Sequence, residues 1–212
     1  MVYASNNLKR TSSSRGITLI EILVVVFIIA LFSSILVTDF PKIKRQFALT
    51  RAVYKMSQDL RRTQDMGFSG QQIEGLDVKG YGVYINLDDA NLRNKKYIIY
   101  ADRGNTPDQK YSEESFVDCR QQTNPQADCV IEEIDLSQTE PEVIINTIEN
   151  TADGRWVDIN FAPPNPATTI TELAEDSSGT KFNRAMIIFA IESEPLKERM
   201  VSVNTSGLIE IK

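Results

Sequence analysis

Arg15-Gly16-Ile17-Thr18-Leu19-Ile20-Glu21 opens an apolar run that continues to Val37 and holds one charged side chain, the carboxylate of Glu21. About 20 residues at about 1.5 Å each match the hydrocarbon thickness of a bilayer, so the run predicts a single membrane-spanning helix. A carboxylate inside such a segment is costly, and an ionisable group there marks a functional position by default. A plain single-pass anchor whose Glu21 reaches back to the headgroups is the simpler reading of the same residues. It leaves unexplained why a glycine stands directly before the run and why the carboxylate follows at a short, fixed offset.

What precedes the run is polar and basic: residues 1–16 hold Lys9, Arg10 and Arg15 and no acid. An ordinary secretory signal is cut after its apolar core, at a small-residue site. Here the small residue, Gly16, comes before the core, so a cut after it leaves the whole helix on the mature chain. Basic leader, Gly16, one apolar residue, Thr18-Leu19-Ile20-Glu21 and a long apolar helix together resemble the prepilin signature of the type IV pilin and type II secretion pseudopilin family, over Arg15 to Val37. The resemblance implies cleavage between Gly16 and Ile17 by a prepilin peptidase, methylation of the new Ile17 amine, and Glu21 as the assembly glutamate. It further implies other pilin or pseudopilin subunits as partners through the N-terminal helix, an inner-membrane assembly platform, and a place in the cytoplasmic membrane, then in a periplasmic or cell-surface filament. Two positions depart from the family pattern: the first mature residue is usually Phe and here is Ile17, and of the Gly and Pro often found in family helices only Pro41 is present.

Composition bounds the remainder. The 212 residues are 42% hydrophobic and 25% charged, so once the anchor is set aside one soluble domain with a modest core is expected. Losing Lys9, Arg10 and Arg15 with the leader moves the net charge from −6 to −9. That acidity argues against nucleic acid as a partner, because affinity for phosphates comes from Lys and Arg, and the closing Ser206 to Lys212 carries no Arg cluster. The chain has no His, so a Ser-His-Asp or Cys-His site cannot be assembled; neither enzymatic activity nor a cofactor is expected. Asp88-Asp89 and the group Asp102, Asn105, Asp108, Glu113 and Glu114 could offer oxygens to Ca²⁺, with Asp102, Asn105 and Asp108 as the candidate ligands, but their spacing is not that of an EF-hand. Solvated acidic turns are the expected reading.

Lys42, Lys44 and Arg45 after the run balance Lys9, Arg10 and Arg15 before it, so the positive-inside rule does not orient the helix. Cys119 and Cys129 are the only cysteines and flank a polar stretch. In an oxidising compartment the pair reads as a disulfide closing a short loop; two unpaired thiols are the alternative, and zinc would need further Cys or His ligands. The disulfide reading places the domain outside the cytoplasm.

Beyond Pro41, which is tolerated in a first turn, Ile43, Phe47, Ala52, Met56 and Leu60 recur at helical spacing, with Lys44, Arg45, Arg51, Lys55, Arg61 and Arg62 on the other faces. The apolar side is expected on a sheet; the basic side is either solvated or set against acidic neighbouring subunits. Gly67 and Gly70 are expected to end the helix. Strand patterns follow at Gly80–Asn86, Lys95–Ala101, Cys129–Leu136, Glu142–Ile148, Arg155–Phe161, Ala185–Glu192, Glu198–Asn204 and Leu208–Lys212, with a turn at Asn204-Thr205-Ser206-Gly207. The proline-rich 162–183 reads as a surface loop. The expected organisation is a leader at 1–16, a transmembrane helix at 17–40, an amphipathic extension at 41–66 and an extracytoplasmic β-rich domain at 67–212. This is an α+β fold, pilin-like, with the helix on an antiparallel sheet. Gly80-Tyr-Gly-Val-Tyr84, Tyr97 to Asp102 and Val201 to Ile209 look like the β domain of H-type minor pseudopilins and related minor pilins. The expected function is therefore a structural subunit, minor pilin or pseudopilin, of a type IV pilus or type II secretion pseudopilus. The alternative is a membrane-anchored binding or adhesion module that does not polymerise.

Overall fold

The computed structural model describes residues 16–70, 72–73, 76–90, 93–103, 109–111, 117–124, 127–149, 151, 154–163, 168–172 and 180–212. Its first element, α1, is one helix from Leu19 to Ser69 with Pro41 in its interior rather than at the start of a second helix. Proline there forfeits one ladder hydrogen bond and crowds the preceding turn. The chain divides into two compact units two residues later, at Ile43/Lys44.

In the first unit the stretch Ile22–Val37 carries no charged side chain on any side of the helix, and charge returns with the Asp39–Lys42 pair at 3.2 Å. An 18-residue window reaches a mean hydropathy of 2.9 with none of it buried, long and apolar enough to cross a membrane.

The second unit holds the core. Ten strands are present among the described residues: β1 Val78–Asn86, β2 Lys96–Arg103, β3 Cys129–Asp135, β4 Val143–Glu149, β5 Trp156–Phe161, β6 Thr168–Glu172, β7 Thr180–Lys181, β8 Arg184–Ile191, β9 Glu194–Asn204 and β10 Ile209–Ile211. A short helix, α2, spans Leu136–Thr139, so Leu136 leaves the strand expected to include it. The strands form not one sheet but two, in the orders β3-β2-β1-β5-β6-β7 and β10-β9-β8-β4. Every strand pair is antiparallel. The segment expected as a loop at 162–183 supplies β6 and β7, and Ile170 on β6 is buried in the core.

Leu49, Ala52, Val53, Met56 and Leu60 of α1 join the inward residues of both sheets in one apolar cluster, among them Val83, Ile99, Ile159, Phe189 and Val201. Asp59 is buried on this same face, accepting from Tyr97 Oη at 2.6 Å and from Lys55 Nζ at 2.6 and 2.8 Å. A buried carboxylate persists only when so satisfied, and it ties the helix to β2. Two residues expected on the packed face are not there: Ile43 is 47% exposed and Phe47 62%. Nor is the basic side free. Arg45 bonds Glu142 and Glu194 at 3.0 and 3.2 Å, Arg51 bonds Glu140 at 2.6 Å, and Arg62 bonds Glu132 at 2.6 Å, all acids of the β-rich unit.

Gly67 lies inside the helix rather than ending it. A Cβ there would stand 2.3 Å from the Phe161 carbonyl oxygen, so the missing side chain lets α1 touch β5. Gly70, at φ +58°, is the residue that terminates the helix.

The outer face of the six-stranded sheet is covered as well. Gly82 leaves room for the ring of Tyr100, which packs on Tyr111, itself packed on Tyr84. Beneath them the fully buried Asp158 accepts from Tyr100 Oη and from the Tyr111 backbone N–H, both at 2.6 Å. Burial pushes the Asp158 carboxyl well above its ordinary value of 3.8; the two hydrogen bonds pull it down, and the charges of Asp102 and Asp128 push it up again. The folded state thus holds this proton more tightly than the unfolded chain does. The stabilisation is complete below 3.8 and is lost as pH rises from there toward the folded value. Denaturant midpoints measured from about pH 4 to 7 should fall with pH in the wild type and fall less steeply in Asp158→Asn. Parallel slopes would rule out this origin.

Cys119 and Cys129 are joined as a disulfide, as the sequence suggests, one residue from a parallel bridge between Asp118 and Val130. Closing so short a loop contributes about 2 to 3 kcal/mol on loop entropy. Thiol labelling of unreduced, denatured protein taken directly from cells should find no free sulfhydryl. Two labelled thiols would remove both the crosslink and the main ground for an extracytoplasmic domain.

Candidate processing and assembly site

The start of α1 is built from three consecutive features. Gly16 is exposed, a Cβ placed on it meets nothing within 4 Å, and its φ is not left-handed. Among the described residues neither crowding nor backbone conformation requires glycine at 16. Ile17 follows at 75% exposed.

Thr18 then caps the helix. Its Oγ1 accepts from the Glu21 backbone N–H at 3.2 Å, while Glu21 Oε2 accepts from the Thr18 backbone N–H at 3.0 Å and from Thr18 Oγ1 at 3.1 Å. The Thr18 carbonyl takes the first helical bond from the Ile22 N–H at 3.3 Å. This reciprocal pairing is a capping box, and it satisfies amide groups that a helix end otherwise leaves open. The Thr-x-x-Glu spacing is its sequence signal; read only for hydropathy, the segment gives Glu21 no partner within its own helix, and the structure corrects that. Both Thr18 contacts fall on Oε2.

The candidate calcium ligands are not brought together. Asp102 is fully buried on β2, where Asn160 Nδ2 approaches it at 3.4 Å, while Asn105 and Asp108 lie outside the described residues. The burial of Asp102 also sets aside the solvated acidic turn expected there. No group of three or more Cys, Asp or Glu side chains suited to a metal occurs among the described residues. Asp88, from the other acidic group, is paired with Arg155.

Residues 11–37 match the family model described as the prokaryotic N-terminal methylation motif. The chain carries the signature of type IV pilins and pseudopilins, in the segment that holds Gly16, Ile17, Thr18 and Glu21. No curated protein matches the chain, and no solved structure does.

Proposed function

We propose that this protein is made as a membrane-inserted precursor, cut between Gly16 and Ile17 by a prepilin peptidase, methylated on the Ile17 amine, and assembled through α1 as a minor pilin or pseudopilin. In this reading residues 1–16 are the leader, 17–40 cross the cytoplasmic membrane, 41–66 extend the helix, and 67–212 stand outside the cytoplasm. The inner-membrane assembly platform and other subunits are its partners. The observation that carries the reading is Gly16: among the described residues nothing makes use of a glycine there, and a peptidase that must accommodate the residue before the cut does.

Glu21 fits the same scheme. Its carboxylate closes the end of a helix that would otherwise enter lipid with open amide groups, and its charge would meet a cation on a neighbouring subunit. The two duties are separable. Glu21→Gln retains an acceptor for the Thr18 N–H, since Glu and Gln both serve at this capping position, but loses the charge. Glu21→Ala loses both, with about 1 kcal/mol of capping. Intact mass should show a methylated chain beginning at Ile17 for the wild type and for both variants, while immunoblots of sheared filaments should show reduced incorporation of both. Normal incorporation of the Gln variant would mean that Glu21 only caps; a wild-type mass that includes residues 1–16 would defeat the whole reading.

A further inference from the structure

Strand β9 carries an irregularity that sets a leucine in solvent. Its ladder with β8 pairs Ala190 with Glu198 and then Ile191 with Glu194, so Pro195, Leu196 and Lys197 are looped out of register. Leu196 is 97% exposed, while every other large apolar side chain on the ten strands is buried or half-buried among the described residues. A lone exposed leucine needs no account, but a bulge re-aims the side chain it carries and is a built feature of a sheet. Pro195 suits such a place because it has no N–H to give the ladder.

The rest of this hairpin tip is held in place. Glu194 accepts from Arg45 at 3.2 Å and from Lys197 at 2.6 Å, Arg45 also bonds Glu142 at 3.0 Å, and Lys95 bonds Glu192 at 2.6 Å. The Glu192 backbone N–H donates to the Glu142 carbonyl at 2.8 Å. Three acids thus meet three cations, in a chain whose net charge is −6. Paired charge spares the tip the cost of bringing an unmatched ion to a low-dielectric surface, and a fixed shape leaves little to be ordered on contact. With Lys197 drawn to Glu194, the bulge presents an apolar side chain and little charge.

The chain itself indicates what the leucine meets. Arg45 is the second residue of the β-rich unit and follows Val37, the end of the apolar run, by eight positions. It therefore stays within about 28 Å of that end however the two units are joined. The Arg45–Glu194 bond fastens the bulge to this point, so the most exposed leucine of the strands belongs to the part of the β-rich unit that is tethered nearest the run.

We propose that Leu196 is a membrane-contact residue, entering the surface of the bilayer that holds Ile17–Val37 of the same chain and docking the β-rich unit there. The proposal rests on the membrane-spanning part of the reading above and adds a second, peripheral contact with lipid. Because the run already confines the unit beside the bilayer at high effective concentration, the modest gain from one leucine is enough to hold it there. The contact is apolar, so it requires neither anionic lipid nor low salt.

The test uses the full chain with Ser193→Cys, an exposed position on the same hairpin, carrying an environment-sensitive dye; the native cysteines are joined and do not compete. The protein is reconstituted in vesicles of phosphatidylcholine, with or without phosphatidylglycerol and with nitroxide-bearing lipid as quencher. The dye should be blue-shifted and quenched to the same extent in both lipid mixtures. Leu196→Ser should lower the docked fraction relative to the undocked about tenfold, the effect of losing roughly 1.4 kcal/mol, near the low end for burying a leucine. Leu196→Trp should keep it, since tryptophan favours the membrane interface. The same dye on Ser206→Cys, at the other end of β9 and about 30 Å away, should remain water-like. A water-like dye at 193 overturns the proposal, as do equal quenching at 193 and 206, no effect of Leu196→Ser, a loss with Leu196→Trp as deep as with Ser, or docking that appears only with phosphatidylglycerol. Flotation of the same sample scores the underlying reading separately: chains that do not float with the vesicles overturn the membrane-spanning helix, whereas chains that float with a water-like dye overturn the Leu196 contact alone.

Discussion

Alanine at position 67 is expected to destabilise the β-rich unit by about 3 kcal/mol, the upper range for forcing extra atoms into a packed interior. The added Cβ would stand 2.3 Å from the Phe161 carbonyl oxygen, 2.8 Å from its Cβ and 3.0 Å from its carbonyl carbon. Two of these three atoms are backbone of β5, a strand paired on both sides, so relief requires moving either the strand or the helix. Alanine also gains about 1 kcal/mol of helix propensity over glycine, which offsets part of the loss without reversing it. Gly70→Ala is the matched control: its Cβ meets nothing within 4 Å, and only its left-handed φ of +58° opposes the change. That strain costs about 1 to 2 kcal/mol. Denaturant unfolding in detergent, followed by the fluorescence of Trp156, the sole tryptophan, reports both. A midpoint for Gly67→Ala at or above that of Gly70→Ala would show that the close approach of α1 to β5 is not needed.

The largest effect on processing is expected from Gly16→Leu, which should abolish the chain that begins at Ile17 and leave the precursor in the membrane. A Cβ at 16 meets no atom of the described residues within 4 Å, which favours this position for the test. Failure to cut could then be assigned to the peptidase rather than to misfolding. Gly16→Ala should restore part of the cleavage. If the Leu variant still yields a chain starting at Ile17, the prepilin assignment is wrong.

The long apolar helix and the methylation-motif signature are legible because their chemistry is local: a long run of apolar side chains, a small residue before it and one carboxylate within it. The packed face of α1 is harder to read. Hydropathy groups Ile43 and Phe47 with Met56 and Leu60, yet the first two lie on the exposed side, while Thr63 and Gly67, polar or small, lie on the buried side. Periodicity finds the stripes but not which one faces the core. Most strands can be read from β-branched and aromatic alternation, whereas their division into two sheets depends on the pairing of β1 with β5 across about 75 residues, a long-range choice that no local pattern encodes. The Thr168-Thr-Ile-Thr-Glu172 alternation was available as a strand signal, but the neighbouring prolines masked it. Asp59 was unreadable for a different reason: a buried carboxylate depends on the hydroxyl of Tyr97, 38 residues away, to make its place acceptable.

The crosslink between Cys119 and Cys129 bears on how the β-rich unit would withstand proteases in the extracytoplasmic setting proposed for it. Residues 120–128 include exposed polar positions such as Arg120 and Asn124, the kind of segment at which nicking concentrates. A cut anywhere between the two cysteines would leave both fragments covalently joined, with Cys129 still in β3 and Cys119 still hydrogen-bonded to Val130. The nicked protein would run as one chain on a non-reducing gel and as two after reduction, so a break between the cysteines would not by itself detach the residues after the nick from α1.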